Sequence, residues 1–77
     1  MNLKFTPHVQ KRLKERTISV GRLVMTMKKP DTTKAAFEGR TEVIKKFGKK
    51  KLHVIFFHET FRDKRDDCII VTAYYEN

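Results

Sequence analysis

His8, Arg12 and Arg16 follow one another at four-residue intervals, a spacing that puts an imidazole and two guanidiniums along one side of a single helix. Such a row suits a phosphate. Guanidinium presents a planar fork that matches phosphate oxygens, and imidazole exchanges a proton near neutral pH, so the set suits phosphodiester chemistry that needs no metal. A plain surface role accounts for the same residues, with His8 in a solvated first turn, Arg12 a surface charge and Arg16 paired with Glu15 or a loop carboxylate. Lys45, Lys46, Lys49, Lys50 and Lys51 crowd a second basic region around Phe47. They read either as a solvated turn or as a patch that follows a nucleic-acid backbone without reading its bases. Tyr74 and Tyr75 point to opposite sides of a strand, so one can pack while the other stacks on a base or donates a proton; for Tyr74 itself, packing is the expectation. His53 is expected at the edge of the core and His58 at a loop end. No cluster of His, Cys and carboxylate falls at ligand spacing, and the P-loop, dinucleotide fingerprint and common nucleophile motifs are missing. An enzyme built on this chain would therefore work without a metal or other cofactor.

The elements that position these residues belong to one short chain. Seventy-seven residues leave room for a single core, so residues 1–77 read as one domain in which nearly every large apolar side chain must be used. Eighteen Lys and Arg stand against nine Asp and Glu, a net charge of +9. A field of that size points to a polyanionic partner such as RNA; a solubility surface or the charge networks of a heat-adapted protein are the plainer alternatives. The basic residues are spread over helices and loops and form no long cationic amphipathic helix, which argues against a membrane surface. Cys68 is the single cysteine, excluding an internal disulfide and fitting a reducing cytoplasm, and it opens an apolar run in which it packs. No stretch reaches the roughly 20 apolar residues of a membrane helix, and Met1 to Lys4 lack the apolar region of a signal peptide.

Thr6 as N-cap and Pro7 at the first helical position predict a helix from Pro7 to about Arg16, with Val9 and Leu13 inward and His8, Arg12 and Glu15 outward. Ser19 predicts the next N-cap, with Ile18 stapled on Leu23 and a helix from Val20 to about Lys29 that Pro30 stops. Val20, Leu23, Val24 and Met27 make its apolar stripe. Three residues between the helices predict an αα-hairpin. Beyond Pro30 the period becomes extended, with turns at Glu38-Gly39-Arg40 and Gly48-Lys49-Lys50 and strands near 33–38, 41–47, 51–58 and 67–75. The third, apolar on both faces from Leu52 to Phe57, should be central, and Glu59 to Asp66 reads as an exposed loop. The fold class is α+β, an αα-hairpin on one face of a four-stranded antiparallel meander.

Phe5-Thr6-Pro7-His8, the run Arg12 to Ser19, Glu38-Gly39-Arg40 and the strand Ile69 to Tyr74 together resemble the domain-of-unknown-function family numbered forty-two fifty-eight. That family is grouped with the RelE-like ribonuclease toxins, within the wider superfamily of barnase, EndoU and colicin nucleases. Its pattern falls on His8, Arg12, Arg16, Gly39, Arg40, Thr72 and Tyr74. Val9 stands where the family has a small residue, and Thr17 where it has glycine. The resemblance implies a RelE-like fold and a toxin that cleaves RNA through attack of the ribose 2′-hydroxyl, leaving a 2′,3′-cyclic phosphate. His8 would transfer protons, Arg16 and Arg40 would hold the phosphate, Arg12 and the lysine turn the flanking backbone, and Tyr74 would donate a proton or stack. RNA or the ribosome, and an acidic antitoxin, are the implied partners. A non-catalytic RNA- or ribosome-binding module, or a domain docking an acidic protein, explains the same charge.

Overall fold

The computed structural model describes residues 2–60 and 66–77. Its elements run β1 (Asn2–Phe5), α1 (Pro7–Glu15), α2 (Val20–Lys28), β2 (Thr32–Ala35), a single 3-10 turn (Phe37–Gly39), β3 (Thr41–Phe47), β4 (Lys50–Thr60) and β5 (Asp66–Glu76). The strands form one sheet in the order β1-β5-β4-β3-β2, with β1 parallel to β5 and every other pair antiparallel.

The helices begin where their caps predict. Thr6 Oγ1 accepts from the Val9 amide at 3.2 Å, and Ser19 Oγ accepts from the Arg22 amide at 3.0 Å. A Schellman turn ends α1: the Ile18 amide donates to the Leu13 carbonyl at 2.9 Å, and the Thr17 amide to Lys14 at 3.2 Å. That turn holds Thr17 at φ +54°, a left-handed conformation that crowds a β-branched side chain. Val9 and Leu13 are buried, but the stripe of α2 is rotated from the expected one. Val20 is 54% exposed, while Thr26 is fully buried and bonds its hydroxyl to the Arg22 carbonyl at 2.8 Å. The helices lie mainly on the sheet, α1 against β5 and β1 and α2 against β4 and β3, and so form no tight αα-hairpin on each other.

Five strands replace the expected four, and the sheet is mixed. Asn2–Phe5 carries a period-two pattern over only four residues, with Leu3 and Phe5 turned inward, and its partner lies at the far end of the sequence. No local signal marks such a pairing. The first hairpin strand stops at Ala35, because the chain turns through Glu38 (φ +58°) and Gly39 (φ +75°), the backbone a type I′ turn requires. Gly48 (φ +63°) opens the second hairpin turn. Strand β4 is central as expected, and it runs on through Glu59 and Thr60 to pair with Asp67 and Asp66. Residues 61–65 of the expected exposed loop lie outside the described residues.

One face of the sheet carries the core. Leu52, Val54, Phe56, Val43, Cys68, Ile70 and Ala73 are buried with Val9, Leu13, Ile18, Leu23 and Met27 from the helix side. In β5 the residues on this face, Ile70 and Ala73, are three apart. A bulge at Val71 makes this possible, since Ile55 pairs with Thr72 and Phe56 with Ile70. Every side chain after the bulge is thereby turned to the face opposite the one that alternation from Ile70 would give it.

Candidate functional site

The opposite face of the sheet is covered by no helix, and register places its side chains in rows. Thr32, Ile44, His53 and Tyr74 stand side by side across β2, β3, β4 and β5. Next to them Lys46 faces Lys51, which faces Glu76. Lys34 faces Glu42 on the other side.

His53 is 7% exposed and held at both ring nitrogens. Nδ1 lies 2.8 Å from Glu42 Oε2, and Nε2 lies 2.7 Å from Glu76 Oε1. Ionised carboxylates only accept, so both contacts are satisfied when both nitrogens carry a proton. The Tyr74 ring stacks on the imidazole at 4.7 Å and 8°, and its hydroxyl donates to Glu42 Oε2 at 3.2 Å. Lys34 Nζ reaches Glu42 Oε1 at 3.4 Å. Burial acts to raise the Glu42 carboxyl, but hydrogen bonds from His53, Tyr74 and Lys34 and the Lys34 charge outweigh it and hold the group below its ordinary value. Burial raises the Tyr74 hydroxyl, and the Glu42 and Glu76 charges raise it further, so Tyr74 serves as a neutral hydrogen-bond donor.

Beside this network runs a groove of about 420 Å³ lined by Ile44 and His53 together with the charged residues Asp31, Lys34, Lys46, Lys51 and Glu76. Lys46 and Lys51 are cross-strand partners on this one face. Among the described residues, neither ammonium has a carboxylate within 4.0 Å. Like charges directly opposite one another oppose strand pairing, and an anion between them would remove that cost.

The residues singled out in the sequence are distributed over the molecule. His8 and Arg12 are exposed on α1. Arg16 lies against β5 beyond the end of β1, donating through Nη1 to the Ala73 carbonyl at 2.8 Å and to Thr72 Oγ1 at 3.3 Å. Arg40 ends the β2–β3 turn, 3.8 Å from Glu38. At 1.5 Å per residue His8 and Arg16 are about 12 Å apart along the helix axis, and β3 stands two strands, about 10 Å, from β5. Among the described residues no hydrogen bond or ion pair joins His8 to Arg16, Arg40 or Tyr74, and none of the three grooves described has His8, Arg16 or Arg40 in its lining.

The lysine cluster is divided by strand alternation. Lys46 and Lys51 face the groove. Lys45 points to the helix side and caps the end of α2, its Nζ 3.0 Å from the Lys29 carbonyl and 3.8 Å from Asp31 Oδ1. Lys50 lies over the Tyr75 ring at 5.5 Å, and Lys49 is exposed in the turn. The tyrosines take the reverse of the expected places: Tyr75 packs on the core, while Tyr74 is 37% exposed on the open face. The Val71 bulge is the reason. His58 lies within β4, not at a loop end, with Nδ1 3.7 Å from Cys68 Sγ.

Sequence reasoning missed Glu42, Glu76 and Lys34. Their signal was available only through register, since Glu42 and His53 are diagonal neighbours on adjacent strands and 11 residues apart in the chain. Among the described residues, no group of three or more His, Cys, Asp or Glu is disposed to hold a metal ion, and no helix is long and apolar enough to cross a membrane. Comparison of the chain with family models, with curated proteins and with solved structures finds no match.

Proposed function

We propose that this chain binds RNA across the open face of the sheet. The observation that carries the reading is the Lys46–Lys51 pair, two opposed lysines with no carboxylate within 4.0 Å of either ammonium among the described residues, beside the exposed ring of Tyr74, on a chain of net charge +9. Cations placed this way contact the phosphate backbone and release its counterions, while a half-exposed aromatic ring offers a stacking surface to an unpaired base. Single-stranded RNA suits such a face better than duplex, because its bases are free to stack.

A second reading is the metal-independent, toxin-like endoribonuclease, with His8, Arg16, Arg40 and Tyr74 at its site. The observation favouring catalysis is the Glu42–His53 contact beside the groove, since a carboxylate on one imidazole nitrogen fixes the ring for proton transfer by the other. Binding without turnover ranks first because His8, Arg16 and Arg40 occupy separate surroundings and Glu76 covers the second nitrogen of His53.

One experiment separates the two: labelled single-stranded RNA is incubated with purified protein in EDTA while anisotropy and product ends are followed together. The binding reading expects salt-dependent association with intact RNA. Cyclic-phosphate ends, lost in His53→Ala or His8→Ala, would establish the nuclease and identify which histidine serves it. Absence of association at low salt would overturn both.

A further inference from the structure

Glu76 sits where an incoming anion would be held. Its carboxylate bonds His53 Nε2 at 2.7 Å, although Glu42 already fixes the ring through Nδ1. The two carboxylates differ in their surroundings: the Glu42 side chain is 10% exposed and also bonded to Tyr74 and Lys34, whereas that of Glu76 is 55% exposed and its described contact is with His53 alone. Glu76 also stands directly across from Lys51, which stands across from Lys46. An exposed glutamate thus lines a groove whose other charged residues include three lysines.

We infer that the groove formed by Lys46, Lys51 and His53 is a phosphate-binding site, and that Glu76 is a built-in competitor which a phosphate displaces. With Glu76 in place, Lys34, Lys46 and Lys51 stand against Glu76, Asp31 and the adjoining Glu42, three positive charges against three negative before the imidazole is counted. Rotation of the Glu76 side chain toward solvent leaves a net positive seat, with Lys46 and Lys51 lining the groove beside the His53 Nε2 that Glu76 vacates. Phosphate offers several oxygens to such a set where a carboxylate offers two, so each donor keeps a partner after the exchange. The volume of about 420 Å³ lies within the roughly 300–1,000 Å³ of ligand pockets and admits a nucleotide as well as an inorganic ion. The inference deepens the RNA reading by naming the group that is gripped, and rests on it only for the natural source of that phosphate.

The test is titration of the intact protein with inorganic phosphate and, separately, with a mononucleotide, followed through the His53 imidazole resonances. Wild type, Glu76→Gln, Lys51→Gln and Glu15→Gln are compared, Glu15 being an exposed helix residue whose loss changes net charge equally. Phosphate is expected to shift the His53 signals saturably. Glu76→Gln should lower the apparent Kd about threefold to fivefold, the size of a lost exposed charge interaction, while Lys51→Gln raises it and Glu15→Gln leaves it near wild type. His53 signals that do not respond, or equal gains from Glu76→Gln and Glu15→Gln, would overturn the inference. RNA association without a phosphate response at His53 would sink the inference and spare the RNA reading; a response with no RNA association would do the reverse.

Discussion

The two faces of the sheet are built from the same three long strands by opposite means. On the helix side β3, β4 and β5 present Val43, Leu52, Val54, Phe56, Ile70 and Ala73, all buried under two short helices. On the open side they present Glu42, His53, Tyr74 and Glu76, bonded to one another. Burying apolar area stabilises one face without directional demand, whereas the other depends on each polar group finding its partner. Substitutions on the first should therefore act on stability, and those on the second on binding and pH response. In a chain this small the two are coupled through the strands they share.

The largest effect should come from a change of phase that reassigns the two faces. Inserting one alanine between Thr72 and Ala73 shifts the alternation after the bulge and drives Ala73, Tyr74, Tyr75 and Glu76 to the wrong faces, placing a carboxylate toward the core. The variant is expected to lose more than about 4 kcal/mol, read as a collapsed denaturation midpoint. Retained stability would show that the C-terminal part of β5 contributes little. Leu23→Ala, in the centre of the helix side, should cost about 3 kcal/mol by opening a cavity, with RNA affinity unchanged once folded protein is matched.

Glu42→Gln removes the charge that His53, Tyr74 and Lys34 converge on, and should cost about 2 kcal/mol near neutral pH. The sign of its pH dependence follows from the lowered carboxyl. Between the folded and the ordinary value of 4.5 the unfolded chain holds more protons, so the stabilisation is complete above that value and fades as pH falls through the folded one. Urea midpoints measured between pH 7 and 3 should decline less steeply in Glu42→Gln than in wild type, and parallel declines would place the acid sensitivity elsewhere. The smallest expected effect is a gain. Thr17→Gly relieves the left-handed strain at φ +54° and should add roughly 0.5–1 kcal/mol, as glycine does at such positions; a loss would mean that unfolded-chain entropy outweighs the relief.

Local features of the chain were legible where the physics is local. Thr6-Pro7 and Ser19 cap helices at the positions their side chains dictate, Glu38-Gly39 and Gly48 turn where positive φ is needed, and the apolar run from Leu52 to Phe57 marks the central strand. What escaped depends on residues distant in sequence. Strand β1 is four residues long and pairs with the last strand, and Glu42, His53 and Glu76 meet only once register is set. The Val71 bulge leaves no mark in an apolar run that alternates poorly, yet it decides that Tyr74 and not Tyr75 reaches the open face. His8 and Arg12 were rightly placed on the outer side of α1, but helical spacing did not show that Arg16, set at the border of that side, would reach back to β5.

The central claim, that RNA lies on the open face, is tested most directly by reversing charge on each face in turn. Lys46→Glu with Lys51→Glu is compared with Lys11→Glu and Lys14→Glu on α1, the two variants having equal net charge, by anisotropy with single-stranded RNA over a range of salt. The open-face variant is expected to lose at least about tenfold in affinity and roughly two units of salt slope, with the helix-face variant losing much less. Equal losses in both, or a larger loss on α1, would contradict the account and return the interface to the row of His8, Arg12 and Arg16.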